Sequence, residues 1–348
     1  VAIFSINNIN IAAISATVPK NIEDNLAYPH VTEKEKQQFI DTVGIRYRRV
    51  VSDETTAADL CILSAEKVLS ELNWNKEDIS ILVFVSQTPD YKIPFNASGI
   101  QHKLGLSKSC ISFDINLGCS GYVYGLSVVG SMLSSMQSGK ALLLVGDCSS
   151  SCISSSDKSV AMLFSDAGSA TALEFTKGKS IQFNLQTDGS EHDAIIIPAG
   201  GMKMPSSSSS LIVDDIEPGI SRNKEQMILD GMKIFNFTLR EVPKNMLDLL
   251  QYTNRGIDDI DFFYLHQANL LMNESVRKKL KIDASKVPYS LYKYGNTSSA
   301  SIPVTISLNN NTIAKTRKCL LSGFGVGLSW GSCILDLSET IIIPLQEL

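Results

Sequence analysis

Apolar and polar positions follow two rhythms that alternate along this chain. Solid apolar runs mark buried strands at Ile79 to Val85, Cys110 to Phe113, Ala141 to Asp147, Phe262 to Leu265 and Cys319 to Ser322. Between them, apolar residues recur at the spacing of one helical face. Thr56 to Leu72 carries Ala58, Cys61, Ala65, Val68, Leu69 and Leu72 in this way. Tyr122 to Ser138 carries Tyr122, Leu126, Val129, Leu133 and Met136, and its glycines predict a deeply buried helix. Asn96 to Leu104 is predicted as a helix stopped by Gly105, and Leu270 to Leu280 as another. Leu229 to Tyr252 is predicted helical, kinked or divided at Pro243. Val1 to Thr17 reads as a strand and its turn, Asn21 to Gln38 as a surface helix or loop, Ala161 to Phe175 as a strand pair and Val287 to Ser290 as a short strand. Gly295 to Ser301 reads as a small-residue turn opening a helix that runs through Ile313.

The order of elements repeats. Each half runs helix, strand, helix, short strand, helix, strand. The predicted organisation is residues 1–175 as a first half, 176–222 as connecting strands and loops, and 223–348 as a second half. Alternating helices and strands predict an α/β fold with helices on the sheet faces. Ligand sites in such folds gather where helix N-termini meet strand ends. His266 ends in one half the strand that Ser86 ends in the other, and Asn296 opens the helix that Cys119 opens. Halves facing each other across a pseudo-twofold axis would bring Cys119, His266 and Asn296 to one centre.

The chemistry of the stretch Asp114 to Gly121 sharpens this picture. Cys119 is predicted at the turn from a strand into a helix N-terminus, where free N–H groups and partial positive charge favour a thiolate. Taken alone, the stretch equally fits an ordinary buried cysteine. A nucleophilic cysteine needs a base or cation nearby and donors for an oxyanion. His266 and Asn296 are suited to this, and Gly323 to Gly327 can offer backbone N–H groups.

Composition narrows the class. The chain has 348 residues, a net charge of −5 and seven cysteines. The charge gives no reason to expect nucleic acid. No apolar run reaches membrane-spanning length, and no secretion-signal pattern opens the chain. An odd cysteine count within apolar segments predicts free thiols and a cytoplasmic location. No Cys-x-x-Cys or His-x-x-x-His pair suggests a metal. The arginines of Arg46 to Arg49 read as a solvated edge or, less readily, as a rim for phosphates, and the serines Ser206 to Ser210 as a flexible linker or a lid.

Four motifs carry a resemblance. Asp114-Ile-Asn-Leu-Gly-Cys119-Ser-Gly, His266-Gln-Ala-Asn269, Tyr294-Gly-Asn296-Thr-Ser-Ser-Ala-Ser and Gly323-Phe-Gly-Val-Gly-Leu-Ser-Trp-Gly331 resemble those of the β-ketoacyl-acyl carrier protein synthase III family, in the thiolase superfamily. Gly44-Ile45 with the arginines after it, Thr187 to Ser190 and Asp230 to Phe237 are secondary matches. The resemblance implies a thiolase-like fold: two duplicated mixed-sheet halves with layered helices, α-β-α-β-α. It implies that Cys119 takes an acyl group from an acyl-CoA or acyl-carrier thioester. His266 and Asn296 would stabilise the enolate left when a malonyl-carrier thioester loses carbon dioxide, and that carbanion would attack the acyl-cysteine. The backbone amides of Cys119 and Val326 would hold the oxyanion, and Phe324 would wall the malonyl site. The family implies a homodimer in which Asp90 to Phe95, with Ile93, lines the partner's acyl pocket. It implies acyl carrier protein as a partner, with no metal and no bound redox cofactor.

The chain also departs from the family's pattern. Val326 stands where a glycine is usual, and Gln38 and Thr42 where a tryptophan and an arginine hold the adenine of coenzyme A. Leu270 to Met272 replaces a carrier-docking arginine, the nearest basic cluster being Arg277 to Lys281. Ile93 replaces a bulky aromatic. Two other readings stay open: an acyltransferase that delivers acyl-Cys119 to a hydroxyl or amine without condensation, and a non-catalytic carrier-binding member.

Overall fold

The computed structural model describes residues 2–52, 54–309 and 318–348. Its order begins β1 (Ala2–Val18), β2 (Ile22–Asp24), α1 (Glu33–Val43), β3 (Tyr47–Arg49), α2 (Ala57–Glu71), β4 (Ile79–Val85), α3 (Asn96–Leu104) and β5 (Ile111–Ile115). It continues with α4 (Gly121–Met136), β6 (Lys140–Cys148), β7 (Asp166–Thr187), β8 (Ile195–Ile196), β9 (Asp214–Glu217), β10 (Ile220–Arg222), β11 (Ile228–Leu229) and α5 (Gly231–Tyr252). The last elements are β12 (Phe262–Leu265), α6 (Leu270–Lys279), α7 (Leu291–Tyr294), α8 (Ser301–Leu308), β13 (Lys318–Gly325), β14 (Ser329–Asp336), β15 (Ile341–Ile342) and β16 (Gln346–Glu347).

Local chemistry explains the boundaries. Thr56 and Asp59 form a reciprocal capping box at the start of α2, and Thr32 and Glu35 do the same for α1. Gly105 closes α3 with φ +67°, a left-handed conformation in which a glycine carries no Cβ penalty. The solid apolar runs became β4 and β12 at their expected limits.

One large mixed sheet runs β12-β13-β14-β7-β6-β4-β5, with β1 hydrogen-bonded to β7 from Ala2↔Leu185 to Thr17↔Gly168. The first part of β7 pairs with β6 and its last part with β14. The expected strand pair at Ala161 to Phe175 is therefore a single 22-residue strand that begins later and continues to Thr187. Helices cover this sheet in three layers. Residues of α2 and α3 pack on the first-half strands, and residues of α5 and α6 on the second-half strands. Between them α4, with Tyr122, Leu126, Val129 and Leu133, and α8, with Ile302 and Ile306, share one core with strands of both halves. The small residues of α4 are required there: a Cβ at Gly125 would lie 2.7 Å from Leu143 Cδ1. The turns that precede α4 and α8 are the ones that carry Cys119 and Asn296.

Several sequence expectations are corrected. Pro243 does not divide α5, which runs through it; the buried face Ile234, Phe237, Val242, Met246 and Leu249 holds the helix together despite one missing N–H. Val287 to Ser290 is not a strand: the Ser290 N–H donates to Gln267 Oε1 at 3.0 Å instead of to a neighbouring strand. The arginines are neither a solvated edge nor a phosphate rim. Arg48 and Arg49 are buried and bound to Glu23, Asn25, Pro19 O and Glu347, and Arg46 makes a bidentate pair with Asp24. Ser206 and Ser210 both donate to Glu225 Oε1, so the serine run is a tethered turn rather than a free linker. The helix expected through Ile313 is α8 as far as Leu308; residues 310–313 lie outside the described residues.

Candidate active site

Cys119 lies two residues before α4, and β13 crosses directly over its turn. A Cβ on Gly323 would sit 2.9 Å from Ser120 Cα, and one on Gly325 would sit 2.7 Å from Cys119 Sγ. A Cβ on Gly118 would meet Val326 Cγ1 at 2.8 Å. Ser120 Oγ and Ser329 Oγ, 2.6 Å apart, tie the turn to the start of β14. The glycines of both motifs therefore serve one purpose, the close approach of two backbone segments around a single sulfur.

Cys119 is 8% exposed. Burial pushes its thiol up to about 11. The backbone N–H groups of Val326 and of Cys119 itself, and the Ser298 hydroxyl, act in the opposite direction by favouring the thiolate. The expectation of a thiol acidified by the helix N-terminus is thus corrected: the cost of burying a charge outweighs the donors. Val326 keeps a negative φ between Gly325 and Gly327, which take the positive values, so a side chain is accommodated there.

His266 follows the end of β12 and is 1% exposed. Burial pulls its pKa down to about 3, so the ring is neutral at ordinary pH. Its Nδ1 lies 2.8 Å from Ser301 Oγ, and that oxygen also accepts the Gln267 N–H at 3.3 Å. In the tautomer that carries its proton on Nε2, Nδ1 accepts from the Ser301 hydroxyl. Phe324 packs edge-on against the imidazole, with centroids 5.5 Å apart.

Asn296 is 4% exposed, in the turn before α8. Its Oδ1 accepts the Ser298 N–H at 2.9 Å, which fixes Nδ2 as the donating end; Nδ2 reaches Ala268 O at 3.3 Å. Nδ2 of Asn296 is therefore a donor, and Nε2 of His266 is one in the tautomer whose Nδ1 accepts from Ser301.

A cavity of about 400 Å³ is lined by Cys119, His266, Asn296, Phe324 and Gly325. Its walls toward the surface are apolar, with Phe39, Leu163, Phe235 and Met272 among them, and with Met232 and Leu271 exposed at the mouth. Leu271 and Met272, from the stretch that departs from the family pattern, thus form part of the way in. A larger open space of about 1220 Å³ near Cys148 and Asp90 is lined by none of Cys119, His266 or Asn296. Ile93 lies outside the cavity and is 89% exposed, so this chain does not use it to line its own site. Sequence reasoning missed Ser298, which touches all three polar side chains, and Asp147, which lies behind it; their only signals were a serine in a small-residue turn and an acidic residue at the end of an apolar strand.

Comparison with known proteins agrees with this geometry. Residues 113–189 match the family model described as 3-oxoacyl-[acyl-carrier-protein (ACP)] synthase III, and residues 250–337 match the model of its C-terminal part. The chain is 33% identical over 336 residues to a putative 3-oxoacyl-[acyl-carrier-protein] synthase 3 of Campylobacter jejuni, covering 94% of each chain. It is 31% identical to a β-ketoacyl-[acyl-carrier-protein] synthase III of Streptococcus mutans, over 92% of this chain and 96% of that one. The crystal structure of a 3-oxoacyl-(acyl-carrier protein) synthase from Burkholderia xenovorans superimposes with a TM-score of 0.93 at 36% identity, over 99% of both chains. The thiolase-like architecture follows, and the chain belongs to the 3-oxoacyl-[acyl-carrier-protein] synthase III family of condensing acyltransferases.

Proposed function

We propose that this chain carries an acyl group on Cys119 and condenses it with a malonyl thioester. The observation that supports the reading is that one cavity is lined by the Cys119 sulfur, the neutral His266 ring and the Asn296 amide, whose Nδ2 is held as a donor. In the first step the Cys119 sulfur attacks the carbonyl of an acyl thioester, the donor's thiol leaves, and the backbone N–H groups of Cys119 and Val326 face the oxyanion. The malonyl thioester then enters the same cavity. Its carboxylate leaves as carbon dioxide, and the electron pair passes into an enolate whose oxygen accepts from His266 and Asn296. A neutral imidazole suits this role, because it donates a hydrogen bond without holding a second proton. The enolate carbon attacks the acyl-cysteine carbonyl, the C–S bond breaks, and a β-ketoacyl thioester departs. Phe324 walls the malonyl side against His266.

The extender arrives on acyl carrier protein and the primer on coenzyme A or a carrier. The apolar mouth fits the uncharged part of either arm. Tyr91, Ile93 and Phe95 are exposed on one segment, and a second copy of the chain covers them. The direct test is product analysis with an acyl donor and malonyl-carrier. A decarboxylated, chain-extended thioester that disappears in Cys119→Ala supports condensation. An ester or amide carrying the unextended acyl group replaces this reading with simple acyl transfer.

A further inference from the structure

Asp147 is a buried carboxylate that the proposed reaction does not use. It lies one residue before the end of β6, is 1% exposed, and bonds both to the segment after β4 and to the turn before α8. Its Oδ1 accepts the Gln87 N–H at 2.7 Å and lies 3.3 Å from Ser86 Oγ, in the segment after β4. Its Oδ2 accepts the Ser299 hydroxyl at 2.5 Å and the Ser299 N–H at 3.3 Å. The Ser298 hydroxyl, with one proton, lies within reach of both this carboxyl group and the Cys119 sulfur. The hydrogen-bond donors named here are neutral, the thiols Cys61, Cys119, Cys148 and Cys152 face it, and burial pushes its pKa up. Burying a carboxylate without a cation is costly, and here it is offset only by several aligned donors.

Those donors converge on one turn. Ser298 holds φ +48°, a left-handed conformation that a non-glycine residue keeps only where its surroundings over-determine it. From that conformation its hydroxyl meets the Cys119 sulfur, its N–H fixes Asn296 Oδ1, and its backbone bonds to His266. We infer that Asp147 is a positioning residue of the condensing site: through Ser299 and Ser298 it holds the turn that aims a hydroxyl at Cys119 and orients Asn296. The inference rests on the reading that Cys119 is the acylated thiol.

The test measures two rates in each variant. One is the condensation rate; the other is alkylation of Cys119 by iodoacetamide at pH 8.5, mapped by peptide mass, which needs no condensation. Ser298→Ala removes a donor to the thiolate, and alkylation falls about tenfold, the usual order for a hydrogen bond to a charged group. Asp147→Asn replaces an acceptor oxygen with a donor and so loosens the turn. Alkylation and kcat therefore fall together, each about tenfold, with KM for the acyl donor within twofold. An unchanged kcat or an unchanged alkylation rate in folded Asp147→Asn overturns the inference. If Asp147→Asn does not fold, Ser299→Ala decides: it deletes only the hydroxyl bond, and kcat falls about fivefold with KM held, whereas an unchanged kcat overturns the inference. A wild-type enzyme that alkylates normally but yields no extended product counts against condensation instead, and leaves the alkylation results interpretable.

Discussion

Gly325 and Cys119 share a space that has no room for one more carbon: a Cβ at position 325 would lie 2.7 Å from both the Cys119 Cβ and Sγ. Gly325→Ala must therefore displace either β13 or the nucleophile turn. Overpacking of this kind costs about 1–3 kcal/mol. The expected outcome is a folded protein with a Tm lower by several degrees and with Cys119 alkylation and condensation each down by at least about tenfold. Wild-type alkylation in this variant would show that the two backbones are not packed as described.

Asn296→Ala separates the two half-reactions. Asn296 Nδ2 is held as a donor by the bond from Ser298 N–H to Oδ1. Loss of one such donor typically costs about 10²–10³ in rate. Acylation of Cys119 is expected to persist, while discharge by malonyl-carrier falls by about that factor. Equal losses in both steps would mean that Asn296 serves the turn rather than the enolate.

The pH dependence of Cys119 follows from its burial. A thiol pushed up to about 11 is protonated in the resting enzyme at neutral pH. Its alkylation rate is expected to climb about tenfold per pH unit through pH 8 to 9, because only the thiolate reacts. A plateau below pH 8 would show that the amide donors outweigh burial.

His266 links stability to pH. Its folded pKa, about 3, lies below the ordinary histidine value of 6.5. The folded state thus binds fewer protons than the unfolded state between those values. This contribution is complete above about pH 6.5 and is lost as pH falls toward 3, at up to about 1.4 kcal/mol per unit. Urea midpoints measured across pH 4 to 7 are expected to show a shallower acid decline in His266→Asn than in the wild type. Parallel declines would place the loss in other groups.

Much of this was legible in the sequence, for physical reasons that differ by region. Strands buried on both faces, such as β4 and β12, print as solid apolar runs, and capped helices such as α2 print their limits. The converging trio Cys119, His266 and Asn296 could be anticipated because each follows a comparable strand end or opens a comparable helix in the repeated order. The 22-residue β7 could not, because Thr176 to Ser180 breaks the apolar run and pairing with β1 and β14 carries the strand onward. Arg48 and Arg49 misled because sequence shows charge but not partners; Glu347 is 298 residues from Arg49. Asp147 and Ser298 stayed hidden for the same reason, since their meaning lies in contacts across the two halves.

Intact-protein mass after incubation with a panel of acyl-CoA and acyl-carrier donors, followed by a malonyl-carrier chase, tests the central claim most directly. The account predicts a mass gain of one acyl group that maps to Cys119, is absent in Cys119→Ala, and disappears on malonyl addition as a β-ketoacyl thioester is released. An acyl group that malonyl-carrier cannot discharge, or one that maps to another residue, would contradict it.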